Sequence, residues 1–215
     1  MADATEYSSG LTAAQVELVP ENYFAPLDFE KVFLRRAPVE IDLGCGDGTF
    51  LTAMAARHPE RNFLGIERLV GRIRSACGKA ARGKLRNVRV LRVESAYAVE
   101  YLLPPASVDV IHLLFPDPWP KKRHHRRRIV TAEFLGNAHR ALVPGGRLRI
   151  ATDQADYFAA IRELAPASEF HESPDDETSE FPLTTFEKHF VVSGAPIYRF
   201  GLRKVSPSRK APAVQ

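Results

Sequence analysis

The sequence predicts an α/β domain: a mostly parallel sheet with helices on both faces and an antiparallel strand at its C-terminal end. Three observations predict it. Between residues 39 and 164, short apolar runs alternate with helical stretches five times, an order that implies right-handed crossovers between parallel strands. A glycine cluster, Gly44-Cys-Gly46-Asp-Gly48, falls between the first apolar run and the first helical stretch. After residue 166 the alternation gives way to two strand-like runs separated by a long polar segment, which a closing antiparallel pair explains.

Residues 1–37 lack strong periodicity, but the aromatics of Asn22-Tyr-Phe-Ala-Pro-Leu-Asp-Phe29 predict an arm partly docked on the domain. The domain proper spans 38–205. Its strands are expected at Val39 to Leu43, Asn62 to Ile66, Asn87 to Val93, Val108 to Leu114 and Arg147 to Ala151, each an apolar run of strand length. Helices are expected over about 49–57, 69–82, 95–102, 130–142 and 154–164, with Pro144-Gly-Gly146 as a turn into the fifth strand. The last two strands are expected near 167–172 and 197–204, joined by a polar loop. Residues 206–215 are polar and proline-containing, and are expected to be a flexible tail.

At 215 residues and 45% apolar content the chain has the material for one full three-layer core. The formal net charge is only +4, but it is segregated. Residues 121–128 carry +6, and residues 68–93 carry nine Lys/Arg and no acid, which leaves 4 − 15 = −11 for the remainder. Such segregation points to a nucleic-acid partner. The two cysteines, Cys45 and Cys77, form neither a disulfide framework nor a metal-ligand motif, so no metal and a reducing cytoplasm are expected. The first residues carry no basic, apolar leader, and no apolar run approaches the ~20 residues of a membrane span.

The most informative stretch is Phe115-Pro-Asp-Pro-Trp-Pro-Lys-Lys-Arg-His-His-Arg-Arg-Arg128. Three prolines stop the preceding strand and hold Asp117 and Trp119 in a stiff loop, followed at once by a dense cationic run. A rigid acid at a strand end beside cations suits chemistry on a polyanion. Three further acids or acid pairs stand at consecutive strand ends. Glu40 and Asp42 precede Gly44, where the glycines allow close backbone approach to a ligand. The third glycine comes one position too early for a dinucleotide site, and carboxylates there suit a ligand with an ammonium or sulfonium. Glu67 lies about 20 residues beyond the glycines, where a carboxylate meets ribose hydroxyls. Glu94-Ser95 ends the third strand, where an adenine amino group would find an acceptor. Asp153, in Ala151-Thr-Asp153, ends the fifth strand; it either faces a base or caps a helix.

The glycine stretch resembles the first motif of S-adenosylmethionine-dependent methyltransferases. Phe-Pro-Asp-Pro-Trp-Pro-Lys-Lys-Arg-His, followed by Ala-Thr-Asp, Thr184-Thr-Phe-Glu187 and Pro-Ile-Tyr-Arg, resembles the tRNA (guanine-N7-)-methyltransferase family of the bacterial type over roughly residues 38–203. The resemblance implies a Rossmann-like, seven-stranded methyltransferase fold. It also implies transfer of a methyl group from S-adenosylmethionine to N7 of a guanine in tRNA, most often position 46 of the variable loop, leaving S-adenosylhomocysteine. Carried over by motif, Glu40, Gly44, Glu67, Glu94 and Ser95 serve the cofactor, although acids at both 40 and 42 leave that first choice open. Asp117 lies between cofactor and base as the catalytic candidate, while Lys121, Asp153, Thr184, Phe186 and Glu187 serve the substrate. Lys121 and Arg123 to Arg128 are expected to meet phosphates. The protein is expected to be a cytoplasmic monomer or homodimer with no obligate protein partner. Rival readings are a methyltransferase of the same fold acting on rRNA or a small molecule, and a non-catalytic RNA-binding domain.

Overall fold

In the computed structural model, residues 10–173 and 181–205 are described. Apolar runs at Val39–Leu43 (β2), Asn62–Glu67 (β3), Val88–Arg92 (β4) and Val108–Leu114 (β5) pair in parallel at the centre of one sheet. β2 and β3 are buried along their whole length, as strands covered on both faces must be. The order is β1-β4-β3-β2-β5-β6-β8-β7. Here β1 is Glu17–Leu18, β6 Leu142–Thr152, β7 Phe170–Ser173 and β8 Tyr198–Lys204. β8 runs antiparallel to both β6 and β7, the closing arrangement expected from the change of pattern after residue 166.

The helices that cover this sheet follow from local signals. α3 (Thr49–Arg57) and α4 (Val70–Arg82) lie over one cluster of buried residues, which includes Leu51, Met54, Ile73, Ala76 and Ala80. α6 (Ala132–Ala141) starts at Thr131, whose side chain accepts from the Phe134 N–H, and buries Phe134, Leu135 and Ala138. α7 (Ala155–Leu164) buries Tyr157 and Ile161 in the larger cluster with β5 and β6. α5 (Ser95–Tyr97) continues as a π-helical turn to Leu102.

Three features differ from the sequence expectation. An eighth strand exists because β1, in the N-terminal arm, pairs with the edge strand β4. The arm is held by more than aromatics: it packs α1 (Ala13–Val16) on α4, runs on through the short α2 (Phe29–Phe33), and Tyr97 donates to the Tyr23 carbonyl at 2.9 Å. Pro144-Gly-Gly146 lies inside β6, where a register shift against β5 absorbs it and Gly145 takes φ +84°. The polar connection between β7 and β8 contains a helix, α8 (Thr185–Ser193), opened by a Thr184/Glu187 capping box and closed by Gly194 at φ +68°. The expected flexible tail, 206–215, lies outside the described residues.

Candidate active site

Parallel strands deliver their C-terminal ends to one edge of the sheet, and a large cleft opens there. It encloses about 700 Å³ between the ends of β2, β3, β4 and β5. Gly44, Glu67, Arg72, Glu94, Ser95, Asp117, Trp119 and Phe186 are among its walls. A second pocket adjoins it through Gly44, Arg72, Leu114 and Phe186 and reaches down to Asp42.

The glycine loop is shaped by its backbone. The amides of Gly44 and Cys45 both donate to the Ile66 carbonyl, at 2.8 and 3.0 Å, which folds the loop back over β3. Gly44, Gly46 and Gly48 all have positive φ. At Gly48 a side chain is also excluded by contact, because a Cβ would stand 2.6 Å from that of Ala76 on α4. At Gly44 a Cβ would meet nothing within 4 Å and would instead project into open space beside the cleft.

The acids take different places from those expected at one position. Glu40, expected beside the cofactor, lines neither the cleft nor its annex. It is buried near the start of β2, 2.9 Å from both His112 Nε2 and Arg61 Nη1. Burial opposes its ionisation, but His112, Arg61 and the charge of Arg149 hold its carboxyl below the usual range. Asp42, two residues nearer the strand's C-terminal end, lines the annex instead. Asp42 is 4% exposed, and its Oδ2 has no hydrogen-bond partner among the described residues. Burial, with help from the Glu67 charge, pushes the Asp42 carboxyl up to about 7. Strand alternation puts residues 40 and 42 on one face. Only the rule that ligands bind at strand C-termini separates them, and applied strictly it selects Asp42.

Glu67 stands at the end of β3 and organises the loops around it. Its Oε1 accepts from the Arg68 and Leu69 amides at 2.8 and 2.9 Å, and its Oε2 from Gly46 at 3.2 Å. Arg72, which sequence reasoning did not single out, lies 3.7 Å from Oε2. Glu94 is exposed at the end of β4, where its Oε2 accepts from the Tyr97 amide and caps α5. Ser95 follows it in the same wall.

The opposite wall is the proline loop. Phe115 leaves β5 at φ +54° with its amide bonded to the Ala151 carbonyl, and Trp119 sits at φ +44°. Asp117 is exposed between them and faces the cleft. Arg128 locks this loop in place. It is 7% exposed, its Nε donates to the Pro118 carbonyl at 2.8 Å, and its guanidinium pairs with Asp156 over the Tyr157 ring. Arg128 is therefore an anchor and not one of the expected phosphate contacts. Arg127 lies over the Trp119 ring, 4.8 Å from its centroid, so the indole packs within the loop.

The substrate candidates divide. Lys121 is exposed at the start of the 3₁₀ turn Lys122–Arg127, outside the cleft lining. Asp153 follows β6 beside the proline loop, its Oδ2 accepting from the Gln154 side chain at 2.6 Å. It does not cap α7, whose N-cap is Gln154. Thr184, Thr185 and Phe186 line the annex, and Thr185 reaches Asp47 in the glycine loop at 3.4 Å. Glu187, expected to meet substrate, turns inward, where it completes the capping box and pairs with Arg199 of β8. The helix that positions these residues was legible only through Thr184 and Glu187, three apart, the spacing of a capping box.

A family model described as "Putative methyltransferase" matches residues 36–200. A tRNA (guanine-N(7)-)-methyltransferase of Syntrophotalea carbinolica is 34% identical over 83% of this chain and 79% of its own. The chain belongs to that family. The enzyme of the same name from Alkalilimnicola ehrlichii is 36% identical over 83% of this chain and 78% of its own. That from Edwardsiella ictaluri is 38% identical over 80% and 73%. Among solved structures, the 16S rRNA methyltransferase KamB superimposes with a TM-score of 0.63 at 18% identity, covering 92% of this chain and 99% of that one. An antibiotic-related methyltransferase gives 0.64 at 17%, covering 89% and 98%. Likeness at that identity speaks to the fold.

Proposed function

We propose that the cleft binds S-adenosylmethionine and presents its methyl group to N7 of a guanine in the variable loop of tRNA, position 46. Methylation of tRNA guanine at N7 is the activity of the family to which the chain belongs. One observation carries the site assignment: three consecutive strand ends bring Asp42, Glu67 and Glu94 to one cleft and its annex, and the fourth supplies Asp117.

The residues fit a cationic nucleoside cofactor. The unpartnered, buried Oδ2 of Asp42 leaves an acceptor unsatisfied until a cation or donor arrives. The bare face of Gly44 leaves room that a Cβ would fill. Asp42 and the Gly44–Gly48 turn would hold the amino-acid end, and Glu67, Glu94 and Ser95 the adenosine. When bound, the cofactor supplies an electrophilic methyl on a sulfonium.

The protein's task follows from the nucleophile. Guanine N7 carries an unprotonated lone pair, so no general base is needed to create it. Orientation is the larger contribution, which a loop stiffened by Pro116, Pro118 and Pro120 and locked by Arg128 provides. Methylation leaves the purine cationic. Asp117, fixed in that loop, stabilises the developing charge and accepts from the base edge, with Asp153 beside it. Phe186 and Thr184 border the same space. Lys121, Lys122, Arg123 and Arg126 are exposed on the adjoining turn and meet the RNA backbone.

The test is transfer of labelled methyl from S-adenosylmethionine into unmodified tRNA, with the product nucleoside identified and mapped by mass spectrometry. 7-Methylguanosine in the variable loop supports the assignment. Label in rRNA alone, or none with cofactor bound, overturns it.

A further inference from the structure

The cationic stretch 68–93 is not explained by the cleft. Only Arg68 and Arg72 border it. α4 leaves β3 at the cleft and, as a crossover helix, runs back toward the opposite edge of the sheet. Its 13 residues carry the chain about 20 Å from the cleft mouth. Ile73, Ala76, Cys77 and Ala80 face the core. Arg74 and Arg82 lie outward two turns apart, and Lys84 and Arg86 continue the series beyond the helix end. All four are exposed.

Two observations separate this ridge from an ordinary solvated helix face. Exposed basic helices usually interleave acids at i±4, which gain from pairing and keep the surface mixed. This one has no acid from residue 68 to 93, and Arg74, Arg82 and Lys84 have no carboxylate partner among the described residues. The outward stripe also contains Gly71 and Gly78. A glycine inside a helix costs about 1 kcal/mol relative to alanine. At Gly71 a Cβ would meet nothing within 4 Å, so packing within the chain does not require that glycine. At Gly78 the Arg82 guanidinium covers the helix, 3.2 Å from where a Cβ would stand, so the bare surface lies at Gly71, where it suits close approach by a sugar-phosphate backbone. The far end of the ridge is braced by the docked arm, where Gly10 lies against Lys84.

We infer that the α4 ridge of Arg74, Arg82 and Lys84 is a second RNA-binding surface that holds the body of the tRNA while the target guanine occupies the cleft. It would select a folded, full-length tRNA over a short RNA containing the same guanine. This rests on the reading of tRNA as substrate and adds a surface about 15 Å long to it.

The experiment compares wild type with Arg74→Ala/Arg82→Ala/Lys84→Ala. Fluorescence anisotropy against full-length tRNA is measured across a salt series, with calorimetric cofactor binding and thermal unfolding as controls. The expected result is a tRNA Kd raised on the order of 10- to 100-fold near physiological salt. The slope of log K against log salt should fall by about 2 to 3, since each lost phosphate contact removes roughly 0.7–0.9. Cofactor Kd, unfolding temperature and kcat at saturating tRNA should stay at wild-type values. A tRNA Kd within twofold of wild type and an unchanged slope would overturn the proposal. So would equal weakening toward full-length tRNA and a short hairpin carrying the target guanine. Failure of wild type to methylate tRNA at all is a different result and counts against the substrate reading.

Discussion

Asp42 offers a direct test of the proposed cofactor pocket. Its carboxyl is driven from 3.8 to about 7 by burial and by Glu67. At 1.36 kcal/mol per pH unit, keeping it ionised in the folded protein costs about 4 kcal/mol. The sign follows from the direction of the shift. A carboxyl with a raised folded pKa holds its proton more tightly when folded. Stability is therefore full below about pH 4, declines as pH rises through the interval to about 7, and is lowest above it. Asp42→Asn cannot ionise and lacks that decline. Urea unfolding of the cofactor-free protein at pH 4.5, 6 and 8 should show the variant gaining about 3 kcal/mol on wild type between the extremes. Binding of a cation beside Asp42 should reverse the cost. Calorimetry at pH 6 in two buffers of different ionisation enthalpy should register close to one proton released by wild type and none by the variant. Cofactor affinity should fall on the order of 10-fold or more, the scale of a lost hydrogen bond to a charged group. Parallel stability curves for the two proteins would refute the reasoning, because the buried carboxyl would then not be carrying the charge cost.

Four other substitutions follow from the same geometry. Asp117→Asn should lower kcat/KM by about 10²-fold in methyl transfer to tRNA, the scale of losing one electrostatic group at the reacting centre. Near-wild-type activity of the variant in the same assay would refute the electrostatic role. Glu40→Ala should destabilise the fold by about 1–3 kcal/mol in urea unfolding, since it leaves the buried His112 Nε2 without its partner while the more exposed Arg61 keeps Glu60. Cofactor affinity of the folded fraction should be unchanged, and a large loss would restore Glu40 to the site. Gly48→Ala should destabilise strongly, because its Cβ would meet Ala76 at 2.6 Å as well as forcing φ +77°. Gly44→Ala, which meets no neighbour, should cost only about 1–2 kcal/mol of backbone strain yet weaken cofactor binding more than Gly48→Ala does in the folded fraction.

Much of this architecture was readable from local chemistry. Strands β2 to β5 announce themselves because buried parallel strands must be apolar on both faces. The glycine turn and the Pro-Asp-Pro-Trp loop are legible because their backbone shapes admit few residue types. Glu67, Glu94 and Asp117 follow because each stands at the C-terminal end of one of those strands. β1 was not legible, and α8 only through the Thr184/Glu187 spacing of a capping box. Two residues, Glu17-Leu18, become a strand only when β4 offers an unpaired edge. Thr184 to Ser193 becomes a helix in a polar segment whose Glu187 finds Arg199 on a strand 12 residues away. The division of roles among like residues was also decided in three dimensions. Glu40 and Asp42 share a strand face, and Arg127 and Arg128 are neighbours in one basic run. Only the partners brought by other elements make Glu40 a buried ion pair, Asp42 an unsatisfied acceptor and Arg128 a loop anchor. Sequence encodes the backbone conformations and the apolar faces, which depend on near neighbours. Charge and hydrogen bonding depend on what lies across the sheet, and that exists only once the chain has closed.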